Sequence, residues 1–324
     1  MIMNVTIREI SFRGSDKNPA VGWLYQPATE QIRGIIQICH GMTEHMGRYH
    51  EFMRYLARSG YIVCGADHPG HGRSAINGHG FFAPENGNLL LVENQYLFSR
   101  IMQKEFPGYP LILFGHSMGS FAARIYAAKY PSVLAGLILS GTGRGRFFLD
   151  AAIASARYSV RRHGPRHIDK KLDQFVFGMF NRPFASEHPH SGWLSRDMEQ
   201  VRLYCNDPAC NFTFTVSALR DLLLLVRASN QKNCFSSASK ELHLLVFSGS
   251  QDPVGEQGKG VRQVYEHYVA AGVHDAQLNL YEGGRHEMLN EVNRCQVYQD
   301  ILRWLNQRFP PQEKESLETW EGEW

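Results

Sequence analysis

The chain has 324 residues, of which 43% are hydrophobic and 20% are charged, the composition of a globular protein with a substantial core. Its formal net charge of +3 is too small to indicate a nucleic-acid-binding protein, and no apolar run approaches the roughly 18 residues of a membrane span. Because residues 1–10 lack the apolar core of a signal peptide, we expect a cytoplasmic protein.

The six cysteines are spread along the sequence and show no C-x-x-C metal pattern. Without a secretory leader, they are expected to be mostly small core residues, not a disulfide framework. Cys205 and Cys210 are close enough in sequence to pair if they were oxidised.

The first part of the chain alternates predicted strands with predicted helices. Residues 5–12 and 21–26 are rich in β-formers and flank a turn-rich loop, which predicts an antiparallel hairpin. Apolar runs and helical spacing then predict the following order: strand 35–39, helix 49–59, strand 61–66, helix 89–105, strand 111–114, a helix from residue 120 and strand 133–139.

No convincing buried strand occurs from about 144 to 236, and alternation resumes with strand 242–247, helix 261–271, strand 277–281 and helix 291–308. Continuous apolar strands alternating with helices predict an α/β fold with a mostly parallel central sheet flanked by helices. We therefore predict a core formed by 1–143 and 237–310, an inserted helical cap at 144–236, and an acidic C-terminal tail at 311–324.

Ser117 lies at the junction of a predicted strand and a predicted helix. It is the only serine with glycine two places before and two places after it, in Gly115-His116-Ser117-Met118-Gly119. This G-x-S-x-G turn is typical of a nucleophile elbow, which projects a serine hydroxyl from a strained backbone. The alternative is a tight turn without any chemical role.

A serine nucleophile needs a base to take its proton and a carboxylate to hold that base. Asp252 follows the strand at 242–247 and precedes a proline, although an Asx-turn residue would look similar. His286 lies in the loop after the strand at 277–281, whereas His267 and His274 fall in or at the end of a predicted helix. The sequence thus predicts Ser117, His286 and Asp252 as a catalytic triad.

The tetrahedral intermediate of acyl transfer needs hydrogen-bond donors at its oxyanion. One expected donor is the backbone N–H of Met118, at the start of the helix that follows the elbow. The second is the backbone N–H of Met42, in the His40-Gly41-Met42 loop after the strand at 35–39.

Five motifs in order resemble the monoacylglycerol lipase and lysophospholipase branch of the α/β-hydrolase superfamily, often labelled serine aminopeptidase-like, and the resemblance covers roughly 35–305. They are HGMTEHMGRYHEF (40–52), DHPGHGRS (67–74), GHSMGS (115–120), SQDPVGEQGKGV (250–261) and YEGGRHEMLNE (281–291). The resemblance implies an α/β-hydrolase fold, the same triad and oxyanion donors, and no cofactor. At the position of Met42, animal members often have a small residue. The resemblance therefore does not extend to the shape of the acyl pocket.

Two histidine-rich stretches suggest other chemistry. His40, His45 and His50 could indicate a metal, but no H-E-x-x-H motif accompanies them, so we predict none. The loop 67–74, with His68 and His71, is predicted to be an ordered loop beneath the active site instead of a second site.

The predicted cap is rich in aromatic residues, and the candidates for a substrate pocket are Phe147, Phe177, Phe180 and Trp193. The same residues could simply bury the cap helices against the core. A basic cluster at its start could contact anionic lipid headgroups in a transient membrane encounter, or be a solvated helix face; it comprises Arg144, Arg146, Arg157, Arg161, Arg162, Arg166, Lys170 and Lys171.

These observations together predict a serine hydrolase of small-molecule carboxylic esters, of the monoacylglycerol or lysophospholipid type, without a nucleic-acid partner. An amidase or aminopeptidase on the same scaffold is an alternative, because the same groups serve either acyl bond. A non-catalytic ligand-binding member of this fold is a second alternative. The sequence predicts no oligomeric state.

Overall fold

A computed structural model describes residues 4–312 and has one eight-stranded sheet. The strands are β1 Val5–Arg13, β2 Pro19–Pro27, β3 Gly34–Cys39, β4 Tyr61–Ala66, β5 Leu111–His116, β6 Gly136–Ser140, β7 His243–Gly249 and β8 Ala276–Tyr281. The helices are α1 His50–Ala57, α2 Gly87–Glu105, α3 Met118–Lys129, α4 Leu149–His163, α5 Lys170–Phe177, α6 Met198–Asn206, α7 Val216–Ser229, α8 Lys232–Ser236, α9 Lys259–Ala270 and α10 Arg294–Arg308.

The strand order is β1-β2-β4-β3-β5-β6-β7-β8. β1 and β2 form the predicted antiparallel hairpin, β2 is antiparallel to β4, and every pairing from β4 to β8 is parallel. The predicted α/β fold with a mostly parallel sheet is therefore confirmed. The carboxyl ends of these parallel strands share one edge, where open α/β sheets bind ligands.

The central strands are buried on both faces because they are almost wholly apolar, and the one amide among them, Gln37 of β3, is hydrogen-bonded to Gln95. In β5, Leu113 joins the core formed with α2, α3, α7 and α9, whereas Phe114 joins the core under α1 and α10. Alternate residues of one strand thus hold both helical layers on the sheet.

Most predicted element boundaries shift by one to three residues, and two of these shifts bear on the site. The helix after the elbow begins at Met118, two residues early, because Ser117 itself is its N-cap. The last helix begins at Arg294, after a short 3-10 turn at Met288–Asn290. Glu291 has extended backbone, and its carboxylate accepts the N–H groups of Arg196 and Arg285 instead of beginning a helix.

The chain between β6 and β7 folds into helices α4 to α8. Helix α7 packs against α4 and also against α2 and α3, which flank the sheet. The proposed division into core and cap stays a prediction. Of the predicted acidic tail, 313–324 lies outside the described residues.

All six cysteines are free thiols, and Cys39, Cys64, Cys210 and Cys234 are buried. The expectation that most of them are core residues is confirmed. Among residues 4–312, no helix combines the length and the apolar character that crossing a membrane requires.

Candidate active site

The predicted site residues follow four strands at the carboxyl edge of the sheet. Ser117 comes directly after β5, Asp252 three residues after β7, and His286 five residues after β8. The His40-Gly41-Met42 loop directly follows β3, the neighbour of β5. The parallel topology therefore gathers segments that are far apart in sequence.

Ser117 occupies a strained turn, with φ 51° and ψ −119°. A Cβ at Gly119 would lie 2.2 Å from the carbonyl oxygen of Cys39, and one at Gly115 would lie 2.6 Å from that of Gly119. Only glycine fits at either position, because the turn presses α3 against the end of β3. The spacing of the motif thus follows from close backbone contact around the serine.

His286 and Asp252 form a buried pair. Nδ1 of His286 lies 3.0 Å from both carboxylate oxygens of Asp252. The hydroxyl of Ser248 donates to Oδ2 of Asp252 over 2.6 Å, and the N–H of Val254 donates to Oδ1 over 2.9 Å. This geometry fixes Nδ1 as the protonated nitrogen of a neutral His286, which leaves Nε2 free to act as a base.

The electrostatics of this pair favour the ionised carboxylate. Burial alone would raise the pKa of Asp252, but the adjacent His286 and the hydrogen bonds from Ser248 and Val254 lower it. Burial likewise acts to lower the pKa of His286, and the charge and hydrogen bond of Asp252 outweigh burial and raise that pKa.

Ser117 and His286 both line a cavity of about 270 Å³. The Trp193 ring lies over the His286 imidazole, with 4.9 Å between centroids, and the His116 ring lies 4.8 Å from it. Burial, and then the nearby His286, lower the pKa of His116 to about 3, so His116 is a neutral neighbour.

The two predicted oxyanion donors have backbone N–H groups without a partner. Among residues 4–312, no hydrogen bond engages the N–H of Met42 or of Met118. Met42 lines the cavity beside Ser117, and Met118 lines a second cavity that also reaches Ser117. Both N–H groups are therefore available to a ligand at Ser117, as an oxyanion hole requires.

The residues on either side of Met42 are held in place. The N–H of Gly41 donates to Oε1 of Glu44, and the N–H of Thr43 donates to Nε2 of His71 over 3.1 Å. Because both neighbouring N–H groups are used, the backbone around Met42 has little freedom to turn.

His71 belongs to a buried cluster with His40 and His68, in which the rings pack at tilted and edge-on angles. Burial lowers the pKa of all three rings, to about 4 for His68 and about 3 for His71. Each neutral ring pairs one nitrogen with a backbone carbonyl, and the cluster supports the Met42 loop.

A buried ionic cluster next to His286 was missed by the sequence analysis. Both guanidinium Nη atoms of Arg48 contact Glu287, each at 2.6 Å, and Nη1 also lies 2.8 Å from Glu44. Burial would raise the pKa of Glu287, but Arg48 holds it at about 2. The i,i+4 spacing of Glu44 and Arg48, with Glu287 adjoining the predicted base, was the available signal.

The segment around Trp193 is bound directly to the His286 loop. The N–H of His286 donates to the Trp193 carbonyl over 3.4 Å, and that of Glu287 donates to the Leu194 carbonyl over 2.7 Å. The buried Arg285 side chain forms two hydrogen bonds with Glu187, at 2.7 and 2.6 Å. The loop that carries the predicted base is therefore tied to the region predicted as the cap.

The two cavities that meet at Ser117 differ in chemistry. The larger has polar groups from Thr43, Asn181 and Asn211. The smaller, of about 80 Å³, is lined mainly by apolar side chains. Of the predicted pocket residues, Phe177, Phe180 and Trp193 line it, whereas Phe147 lies outside both cavities and is 101% exposed.

The histidines weighed as metal ligands have separate partners. His40 lies in the buried histidine cluster with His68 and His71, and His50 is hydrogen-bonded to the hydroxyl of Tyr25. Nε2 of His45 lies 2.9 Å from Asp207, and with Cys210 these two form a group whose donor atoms lie within 4.8 Å of one another.

Nδ1 of His45 accepts the N–H of Gly47, which puts the ring proton on Nε2, the atom that faces Asp207. Burial raises the pKa of the Cys210 thiol. This geometry suits a hydrogen bond better than a metal ion. That the protein binds no metal stays a prediction.

The chain is similar to known hydrolases over most of its length. The serine aminopeptidase S33 family matches residues 30–293. A monoacylglycerol lipase of Mycolicibacterium smegmatis is 27% identical over 94% of this chain and 99% of its own length. A human monoglyceride lipase is 27% identical over 88% of this chain and 86% of its own length.

A thermostable carboxyl esterase from Bacillus coagulans, crystallised with glycerol, superposes with a TM-score of 0.87 and 28% identity, covering 94% of this chain and 99% of that one. The predicted resemblance to the monoacylglycerol lipase branch of the α/β hydrolases is confirmed by these relatives. The chain belongs to the serine aminopeptidase S33 family of α/β hydrolases.

Proposed function

We propose that the protein hydrolyses carboxylic esters through acylation of Ser117, with monoacylglycerols as its substrates. The observation that carries this proposal is the meeting of an apolar and a polar cavity at Ser117. The apolar cavity matches the acyl side of an ester in character, and the polar one suits a glycerol-like alcohol. The monoacylglycerol lipases among the relatives support the same substrate class.

The reaction starts when Nε2 of His286 takes the proton of the Ser117 hydroxyl as its oxygen attacks the ester carbonyl. Asp252 keeps the imidazole in the required tautomer and stabilises the imidazolium. The backbone N–H groups of Met42 and Met118 donate to the oxyanion of the tetrahedral intermediate.

Collapse of this intermediate breaks the bond to the alcohol oxygen, and the His286 imidazolium protonates the leaving alcohol. A water molecule then attacks the acyl-enzyme, with His286 again as the base. The second intermediate releases the carboxylic acid and regenerates Ser117. Water and ester are thus converted to acid and alcohol without a cofactor.

Replacing the nucleophile tests the mechanism. Ser117→Ala should lower kcat for a p-nitrophenyl ester by about 10⁴-fold or more while leaving the circular dichroism spectrum unchanged. Folded Ser117→Ala protein with wild-type turnover would contradict the proposal. Asp150→Asn, on an exposed carboxylate of α4, is a control that should retain full activity.

The substrate class is tested with a panel of monoacylglycerols, lysophosphatidylcholine, short aryl esters and aminoacyl amides. The two-cavity geometry favours monoacylglycerols, because both the chain and the alcohol find a matching surface. A preference for aminoacyl amides would replace this proposal with an aminopeptidase.

We also propose a transient contact between the α4–α5 region and membrane surfaces. Phe147 and Phe175 are exposed, and both rings contact Phe148, which lines the apolar cavity. Phe147 lies just before α4 and Phe175 on α5, and exposed basic side chains lie on these two helices: Arg157, Arg161, Arg162, Lys170 and Lys171. An apolar patch next to basic groups suits a bilayer with anionic headgroups. The expected cytoplasmic location rests on the sequence alone.

A further inference from the structure

Asp173 is an unpaired carboxylate in the polar cavity. It lies on α5 and lines the cavity together with Ser117 and His286. Among residues 4–312, no hydrogen bond or ion pair engages its side chain. Burial raises the pKa of this carboxyl, and no neighbouring cation acts in the opposite direction. The free protein therefore holds a partly desolvated acid without a counter-charge.

The charges around this cavity are otherwise negative or balanced. Glu44 and Glu287 also line it, and both are bound to the one guanidinium of Arg48. Within the described part of the chain, no lysine or arginine side chain lines the cavity. The apolar cavity has Arg144 and Arg146 in its wall; Arg144 is paired with Glu256, whereas Arg146 donates to the carbonyl of Pro253 and keeps its positive charge. The two halves of the site thus differ in charge.

Aromatic side chains line the same cavity as Asp173. Phe177 lies on the same helix, and Phe212 and Trp193 line the cavity from other segments. An aromatic face attracts a cation through its quadrupole, and quaternary ammonium groups are bound in this way. A carboxylate beside such faces supplies the charge that this group needs.

We infer that Asp173 is a specificity-determining residue that extends the proposed substrate range from monoacylglycerols to acyl esters whose alcohol carries a positive charge, such as a quaternary ammonium. This inference rests on the proposed ester hydrolysis at Ser117. The acyl chain occupies the apolar cavity, and the cationic alcohol lies in the polar cavity against Asp173. An uncharged alkyl alcohol of the same shape lacks this attraction, and alcohols bearing a phosphate are repelled by the excess of carboxylates.

The test compares two esters that differ only in charge. Decanoylcholine and 3,3-dimethylbutyl decanoate have the same shape, because a carbon atom replaces the ammonium nitrogen in the second. Choline is the better leaving group whatever the enzyme, so the ratio of kcat/KM for the two esters is compared between protein variants. The intrinsic reactivity then cancels.

Asp173→Asn keeps the shape and removes the charge, so the ratio should fall about tenfold, equivalent to about 1.4 kcal/mol. Asp173→Glu should restore most of the ratio. Asp150→Asn removes a carboxylate from the neighbouring helix α4 without touching either cavity, and it should leave the ratio unchanged.

An Asp173→Asn ratio equal to that of the wild type would overturn the inference, as would an equal fall in Asp150→Asn. A failure of the proposed function would look different, because the wild type would then hydrolyse neither these esters nor a monoacylglycerol. Wild-type turnover of monoacylglycerol with no effect of Asp173→Asn on the ratio would leave the proposed function standing and remove only the role of Asp173.

Discussion

Arg48 and Glu287 form a buried ion pair with two hydrogen bonds of 2.6 Å, and Glu287 is the residue that follows His286 in the chain. The same guanidinium contacts Glu44, whose carboxylate accepts the N–H of Gly41 next to Met42. One side chain therefore joins the segment of the proposed base to the segment of a proposed oxyanion donor. Arg48 is a positioning residue that acts through these loops.

Arg48→Lys should lower kcat about tenfold or more with a smaller change in KM. A lysine keeps the charge, but it cannot form the paired hydrogen bonds that fix both loops at once. Steady-state kinetics with a p-nitrophenyl ester give the two constants separately. Arg48→Met should also lower the free energy of unfolding by about 3–5 kcal/mol, because it leaves two buried carboxylates without a counter-charge.

The matched control is Arg202→Lys. Arg202 forms a comparable two-contact pair with Glu199, but on the surface, where the two side chains are 60% and 58% exposed. Such pairs contribute little to stability. If Arg48→Lys and Arg202→Lys had the same kcat, Arg48 would have no positioning role.

The mostly parallel sheet and the three proposed catalytic side chains could be predicted from the sequence because each leaves a local pattern, whereas the order of the strands could not. Ser117 needs glycine on both sides, and Asp252 and His286 follow apolar strands. The contact of Arg48 with Glu287 and that of His71 with Thr43 leave no such pattern, because these partners are brought near only by the fold, and the i,i+4 spacing of Glu44 and Arg48 was the one local signal of the ionic cluster. The sequence also could not show which of two adjacent phenylalanines lines the cavity. Phe148 lines it, whereas Phe147 is exposed.

The pH dependence of kcat/KM should report the His286–Asp252 pair. Burial lowers the pKa of His286, but Asp252 more than offsets this and raises it above that of a free imidazole, about 6.5. Only the neutral imidazole accepts the serine proton, so activity should rise with pH and reach half its plateau above that value. His116 should not contribute to this rising limb of the pH profile, because burial lowers its pKa to about 3.

Asp252→Asn should shift this limb to lower pH and reduce kcat by about 10⁴-fold, because the positive imidazolium loses its stabilising carboxylate. The measurement is a pH series from 5 to 9 with a neutral ester whose charge is constant. A limb at the same pH in both proteins would show that it does not belong to this pair.

His71→Leu should lower kcat about tenfold while changing KM little. The variant removes the acceptor of the Thr43 N–H, so the backbone next to Met42 is no longer fixed for the oxyanion. An unpaired buried N–H should also cost about 1–3 kcal/mol of unfolding free energy. His71→Gln offers a carbonyl oxygen in place of Nε2 and should recover part of kcat. Equal kcat for the two variants would indicate that His71 acts only through packing.

Phe147→Ser combined with Phe175→Ser should weaken binding to vesicles without affecting hydrolysis of a short, soluble ester. Phe147 exposes its whole side chain and Phe175 exposes 52%, so the substitutions remove apolar surface that water already reaches. Losing two aromatic side chains from a bilayer interface should reduce the partition coefficient about tenfold or more. Co-sedimentation with vesicles of phosphatidylcholine and phosphatidylserine measures this directly.

The control is the double variant Val269→Ser and Val292→Ser. Both valines are exposed, one on α9 and one just before α10, so they lie outside α4 and α5. Equal loss of binding in the two double variants would mean that exposed apolar surface in general, and not the α4–α5 region, contacts the membrane.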